Sequence, residues 1–211
     1  MPRIPDIVLN TVFFLYPTKE AAEKGENFGG SGFIVTVPSS IPGRVHAYGI
    51  TNAHVAPGSP VVRINRKDTP LIPDIFEFQD IDWEAHPDFY DIAATPLLLD
   101  PTVHDVAAIP VADFASPERS SNMGLGDDVF MAGRFVDHDG GTTNKASVRF
   151  GNIAVMPTLM PQRSEKPRES YIIDLHSRTG YSGSPVHIYR TLGGDLDAVH
   201  KDGGNLNLSK S

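Results

Sequence analysis

A serine between two nearby glycines is the feature of this sequence that could most directly do chemistry. It lies in segment 179–186, TGYSGSPV, where Gly180 and Gly183 allow tight backbone turns near Ser182 and leave N–H groups pointing outward. The N–H groups of Gly180 and Ser182 could form an oxyanion hole for a tetrahedral intermediate. Since a serine hydroxyl is a weak nucleophile, such a site also needs a general base. Without that base, the segment would be an ordinary turn rich in Gly, Ser and Pro.

Two further residues could complete such a site. His54 lies on a turn of small residues just after a hydrophobic segment that ends at Thr51, and active sites are often built at such strand ends. Asp91 opens an apolar segment, so we expect it to be half buried and to need a partner such as a histidine N–H. A solvated aspartate that caps the strand is the alternative. Most histidines are structural or exposed, and the others that compete are His46, His86, His104, His138, His176, His187 and His200.

The order of the three candidates along the chain separates the known serine hydrolase arrangements. The order His54, Asp91, Ser182 is that of the chymotrypsin triad. In α/β-hydrolases the serine comes before the acid and the histidine, and in subtilisins the aspartate comes first. The α/β-hydrolase turn G-x-S-x-G also needs a glycine where this chain has Ser184, and the sequence lacks the pattern of long helices. The order therefore favours the chymotrypsin arrangement.

Short segments rich in β-branched and aromatic residues, bounded by Gly, Pro or Asn, predict β-strands throughout the chain. They are 9–16, 32–37, 45–51, 61–65, 75–79, 92–98, 128–135, 146–156, 171–175 and 185–189. Only 18–24 and the residues just after Thr51 have a helical pattern. Many short strands with frequent turns indicate a β-sandwich or β-barrels, and this pattern alone does not choose between them.

Five segments, in this order, resemble the trypsin-like (chymotrypsin-fold) serine peptidases. They match the family's second strand, histidine motif, aspartate motif, opening of the second barrel and serine motif. The segments are GGSGFIV at 29–35, ITNAHVA at 50–56, YDIAATPL at 90–97, GDDVFMAGRF at 126–135 and GYSGSP at 180–185. Within the family, the chain is most similar to cysteine-poor bacterial branches, namely glutamyl endopeptidases and HtrA-type peptidase domains.

The resemblance implies an all-β fold of two packed antiparallel six-stranded β-barrels with the active site in the crevice between them. Residues 1–108 would form the first barrel, 109–125 the connection and 126–211 the second barrel. The resemblance also implies a serine endopeptidase that cleaves peptides or proteins through an acyl-enzyme and needs neither a cofactor nor a metal. A non-catalytic binding module of the same fold and an esterase-like serine hydrolase remain alternatives.

The resemblance also bears on the specificity pocket. It places His176, Ser177 and Arg178 near the pocket for the residue before the cut, with Ser177 where glutamyl endopeptidases carry a hydroxyl that meets the substrate carboxylate. Arg178 could add a charge-assisted hydrogen bond or could point to solvent. These residues predict a preference for acidic side chains before the cut.

Two departures from the family concern activation and the C-terminal end. Tyr181 replaces the aspartate that pairs with a newly cut N-terminus in zymogen-activated members, so the oxyanion hole must be organised in another way. After the serine motif, segment 190–211 is polar, and only 196–199 could form a short strand. We therefore expect the family's last strand and C-terminal helix to be missing from this chain.

Charge and composition limit the partners that we expect. The net charge of −8 argues against nucleic acid and anionic membranes as main partners. No apolar stretch approaches the roughly 20 residues that a membrane-spanning helix needs. The chain has no cysteine, which favours a reducing compartment and hence the cytoplasm, although a secreted or periplasmic protein stays possible.

Overall fold

The computed structural model of this chain describes residues 3–116, 123–135, 141–160, 167–175 and 180–189. Within these ranges the chain is almost entirely β-structure, with two short α-helices, α1 (Asp6–Leu9) and α2 (Lys19–Lys24). The strands form two sheets, one from each half of the sequence. Among the described residues, no helix has the length and apolar character needed to span a membrane.

The first sheet contains eight strands from the described part of the first half. They are β1 (Val12–Tyr16), β2 (Gly30–Pro38), β3 (Val45–Thr51), β4 (Val61–Ile64), β5 (Asp74–Phe76), β6 (Glu84–Ala85), β7 (Ala93–Pro96) and β8 (Ile109–Pro110). Seven follow the antiparallel order β5-β4-β1-β2-β3-β7-β6, and β8 runs parallel to the outer part of β2.

The two outer strands of that order, β5 and β6, are consecutive in the chain. The segment between them ends at Trp83, whose side chain is only 6% exposed and packs in the same core cluster as Phe13, Leu15 and Leu97. The two edges of the sheet are thereby drawn around one apolar core, which is the geometry of a curled half-barrel or barrel.

Strand β1 shows why the two sheets pack together. All five of its residues are buried. Because successive side chains of a strand point to opposite faces, Phe13 and Leu15 enter the first sheet's own core while Phe14 and Tyr16 enter a second cluster. That second cluster includes Ala132 of the other half, so β1 lies between two cores rather than at a surface.

The second sheet contains four described strands in the antiparallel order β11-β10-β9-β12. They are β9 (Asp128–Arg134), β10 (Ala146–Met160), β11 (Arg168–Leu175) and β12 (Val186–Ile188). The long strand β10 pairs with both β9 and β11, and its register with β11 shifts between Ile153 and Thr158.

A fully buried guanidinium ties the first sheet to the segment that precedes β10. Arg63 on β4 is 0% exposed and lies 4.7 Å from the centre of the Tyr16 ring. It donates hydrogen bonds to the carbonyl oxygens of Ala22 (2.8 Å), Gly141 (2.9 Å) and Thr143 (3.2 Å). A buried charge is tolerated only when such partners surround it, so this contact fixes the two halves against each other.

The sequence-based strand predictions are largely confirmed, with differences at the ends. Segment 18–24 forms α2, because the Thr18 hydroxyl accepts a hydrogen bond from the Ala21 N–H (3.2 Å) and Gly25 ends the helix at a φ of 72°. The prediction that a strand begins at residue 9 is wrong, since α1 occupies Asp6–Leu9 and β1 starts at Val12. The possible strand at 196–199 lies outside the described residues.

Candidate active site

His54 is positioned by a tight turn at the end of β3. The carbonyl oxygen of Asn52 accepts hydrogen bonds from the N–H groups of Val55 (3.0 Å) and Ala56 (3.3 Å). Val55 and Ala56 are buried in the first core, whereas the His54 side chain is 60% exposed. The turn therefore anchors its apolar end in the barrel and presents the imidazole at the surface.

Asp91 binds both the ring and the backbone of His54. One carboxylate oxygen, Oδ2, lies 2.7 Å from His54 Nδ1, and the other, Oδ1, accepts the His54 backbone N–H at 2.9 Å. The Asn52 amide in turn donates to the Asp91 carbonyl oxygen at 2.7 Å. Because an ionised carboxylate can only accept, this contact favours the tautomer that carries its proton on Nδ1 and leaves Nε2 free to act as a base.

The His54–Asp91 pair is open to solvent. The Asp91 side chain is 51% exposed, so it is more open to solvent than the half-buried carboxylate expected from the sequence, and it lies in the segment that leads into β7. An exposed ion pair gains little Coulomb energy, because water screens it. The pair therefore serves to orient the ring rather than to stabilise the fold.

The loop that carries Ser182 turns on two glycines, as the sequence indicates. Gly180 has a φ of 100° and Gly183 a φ of 85°, a region that side chains rarely adopt. A Cβ atom on Gly183 would lie 2.1 Å from the Ser31 carbonyl oxygen and 2.3 Å from the Thr51 hydroxyl. Gly183 therefore lets the loop lie directly against β2 and β3, while Ser182 itself stays exposed.

Ser31 on β2 holds the Ser182 loop against the first sheet. Its N–H donates to the Ser182 carbonyl oxygen (2.9 Å), and its hydroxyl donates to the Gly180 carbonyl oxygen (2.8 Å). The same hydroxyl accepts the N–H of Arg134 in the second sheet (3.0 Å). The Thr51 hydroxyl, three residues before His54, donates to the Ser31 carbonyl oxygen at 2.8 Å. Ser31 therefore links the turn that carries His54 to the loop that carries Ser182.

The contacts around Gly30 bring the two loops still closer. A Cβ atom on Gly30 would lie 2.9 Å from both the Ser182 carbonyl oxygen and a methyl carbon of Val55, which follows His54. Within the described residues, the Ser182 hydroxyl makes no hydrogen bond to the His54 ring. Catalytic hydrogen bonds are often long or unformed in the absence of substrate.

The sequence predicts that two N–H groups, those of Gly180 and Ser182, form an oxyanion hole. In the described part of the chain, neither Gly180 nor Ser182 uses its N–H in a backbone hydrogen bond. The predicted specificity residues His176, Ser177 and Arg178 lie outside the described residues. Over the same described ranges, no cluster of three or more His, Cys, Asp or Glu side chains could hold a metal ion.

Tyr181 anchors the Ser182 loop on its other side, in the second sheet. The residue is only 3% exposed, and its hydroxyl is hydrogen-bonded to that of Ser147 on β10. Gly133 makes room for it, since a Cβ atom there would lie 2.8 Å from the Tyr181 ring and 2.0 Å from the Ser184 hydroxyl. The sequence analysis did not identify Ser31 or Ser147. The only signal for Ser31 was its position between two glycines. The only signal for Ser147 was its partner Tyr181, which stands where zymogen-activated family members have an aspartate.

Comparisons with known proteins rest on structure alone, because no family model and no curated protein matches the sequence. The MamO protease domain from Magnetospirillum magneticum, in its apo form, superposes with a TM-score of 0.57 at 17% identity over 85% of this chain and 79% of that one. Deg5 gives 0.52 at 16% identity, over 87% of this chain and 76% of that one. The HtrA-type protease AlgW with a tripeptide gives 0.53 at 18% identity, and 86% of this chain spans about half (48%) of it. The chain therefore has the chymotrypsin-like double-barrel fold that trypsin-like serine protease domains, including HtrA-type ones, share.

Proposed function

We propose that this protein is a serine endopeptidase with His54, Asp91 and Ser182 as its catalytic triad. The observation that carries the proposal is that the Asp91 carboxylate accepts two hydrogen bonds from His54, one from the ring (2.7 Å) and one from the backbone N–H (2.9 Å). It supplies an oriented base on the turn that Ser31 and Thr51 connect to the exposed Ser182. The protease fold supports the same conclusion at the coarser level of a serine protease domain.

The proposed chemistry is hydrolysis of a peptide bond through an acyl-enzyme. The Ser182 hydroxyl attacks the carbonyl carbon, and His54 Nε2 takes its proton and later gives it to the leaving amine. Asp91 keeps the ring in the required tautomer and stabilises the imidazolium that forms. The N–H groups of Gly180 and Ser182 bind the oxyanion, and water then hydrolyses the ester by the same steps.

The proposal includes a preference for acidic residues before the cut. It rests on the family resemblance of Ser177 and Arg178, with His176 beside them, and not on any contact in the structure. A mixed peptide library would measure it directly. Preferential cleavage after Lys or Arg would contradict it.

The proposal is tested by labelling with a fluorophosphonate, which reacts with activated serines. The wild type should be labelled and should cleave peptides, and Ser182→Ala should lose both activities. Ser184→Ala is the matched control, because Ser184 lies two residues away with its hydroxyl buried next to Gly133. An unlabelled wild type would indicate a non-catalytic binding module of this fold, and turnover of esters without turnover of peptides would indicate an esterase.

A further inference from the structure

A cavity of about 430 Å³ opens behind the loop that carries Ser182. Tyr181 and Phe135 form its aromatic walls, and Ser147, Arg149 and Lys145 supply its polar groups. None of the three proposed triad residues lines it, so it is separate from the candidate active site. Its volume lies within the range of sites for small organic ligands.

Two cationic side chains line this cavity. Lys145 and Arg149 line it together with no carboxylate, and neither forms an ion pair within the described ranges. The Arg149 guanidinium lies over the rings of Phe135 and Tyr181, 5.2 Å from each centre, and its buried Nε has no hydrogen-bond partner among the described residues. A guanidinium stacked in this way keeps its outer N–H groups available for a planar anion.

Hydrogen bonds of Tyr181 connect the cavity to the loop that carries Ser182. The Ser147 hydroxyl is hydrogen-bonded to the Tyr181 hydroxyl and also lies 3.4 Å from the Gly133 carbonyl oxygen. The Tyr181 carbonyl oxygen accepts the Ser184 N–H at 2.9 Å. Because Tyr181 directly precedes Ser182, whatever holds its ring also holds the backbone that presents the nucleophile.

We propose that this cavity binds a carboxylate carried on an apolar body, and that the bound ligand fixes Tyr181 and thereby the Ser182 loop. Arg149 and Lys145 bind the carboxylate, and the Phe135 and Tyr181 rings, with Val148, pack against the apolar part. A short peptide with a hydrophobic C-terminal residue and a free carboxylate has this chemistry. The link to catalysis, unlike the binding itself, rests on the proposed function, whose reaction produces peptides that end in such a carboxylate.

Binding is tested by calorimetry on the Ser182→Ala variant, with N-acetyl-Ala-Leu as the probe. We expect this peptide to bind at least tenfold more tightly than its C-terminal amide or inorganic phosphate. Arg149→Gln should weaken binding by roughly 10- to 100-fold, the loss of a charge-assisted hydrogen bond. Arg44→Gln is the matched control, because Arg44 is exposed and does not line the cavity.

Three results would overturn the binding site. They are equal binding of the acid and the amide, equal binding of phosphate, and an Arg149→Gln variant that binds like the Arg44→Gln control. If the peptide instead binds at the active site as a reaction product, Arg149→Gln should not weaken its binding. That outcome would also overturn the proposed binding site. If Arg149→Gln fails to fold by circular dichroism, Arg149→Lys and Lys145→Gln take its place, with a weaker loss expected.

The link to the nucleophile is tested by the rate of fluorophosphonate labelling of the wild type. N-acetyl-Ala-Leu should raise that rate several-fold, and Arg149→Gln should abolish the increase. Binding without any change in the rate would overturn the link. A wild type that is never labelled would count against the proposed function, whereas the calorimetry on Ser182→Ala would still decide the site.

Discussion

Ser31 is the buried residue whose removal should disturb the Ser182 loop most directly. Its side chain is 0% exposed, and its hydroxyl serves two buried groups, the Gly180 carbonyl oxygen at 2.8 Å and the Arg134 N–H at 3.0 Å. In Ser31→Ala both groups lose their partner, and each buried unsatisfied group costs roughly 1–3 kcal/mol. We therefore expect the free energy of unfolding to fall by about 2–6 kcal/mol. Because the Gly180 peptide is no longer held, kcat should fall more than KM rises.

Urea unfolding measures the first effect, and the steady-state kinetics of peptide cleavage, together with the rate of fluorophosphonate labelling, measure the second. Ser39→Ala is the matched control, since its hydroxyl only accepts a solvent-exposed hydrogen bond from the Ile41 N–H (3.2 Å). That variant should change the free energy of unfolding by less than about 0.5 kcal/mol. If Ser31→Ala proves as stable and as reactive as Ser39→Ala, the role given to Ser31 is refuted.

Three further predictions concern the base, the second sheet and the glycine turn. Asp91→Asn should keep the circular dichroism spectrum but lower kcat on the order of 10⁴-fold, because an amide no longer enforces the required tautomer of the neighbouring imidazole. Burial lowers the pKa of His187, so protonation favours the unfolded chain, and stability should fall as the pH drops below the ordinary histidine pKa of about 6.5. His187→Phe should flatten this part of the pH dependence of urea unfolding, whereas His46→Phe at an exposed site should not. Gly183→Ala should abolish labelling, whereas Gly58→Ala, with open space around its Cβ position, should leave it intact.

Each of these predictions can fail in a distinct way. Wild-type turnover in Asp91→Asn would remove Asp91 from the triad. A pH dependence that His187→Phe leaves unchanged would show that another group dominates the acid response. A Gly183→Ala variant with normal labelling would mean that the loop can shift away from β2 without affecting the nucleophile.

The sequence predicted most of the strands because their apolar and β-branched segments are bounded by clear turn residues. Strand β3 matches its predicted bounds, Val45–Thr51. Strands β6 and β8 were missed because each has only two residues, too few for any periodicity. The start of β1 was misplaced because the apolar residues of α1 continue the same hydrophobic run, although Pro5 and Asp6 favour a helix start.

Residue order and short motifs predicted the three central residues of the candidate site but not the residues that support them. His54, Asp91 and Ser182 stand in motifs that can be seen in the sequence, and the first two are hydrogen-bonded in the structure. Ser31 and Ser147 could not be found in this way. Their roles arise where strands from distant parts of the chain meet, and this depends on the register of both sheets.

The buried guanidinium of Arg63 has a consequence for how the chain can be divided. Two of its carbonyl partners, on Gly141 and Thr143, come from the second half of the sequence. If residues 1–116 were produced alone, the guanidinium would lose these partners and the Phe14 and Tyr16 face of β1 would lose its contact with Ala132, so we expect this half to be much less stable. We therefore expect that the first sheet does not fold on its own. If the chain is cleaved between its two halves, we expect both halves to unfold in one cooperative transition, so that neither half remains folded alone.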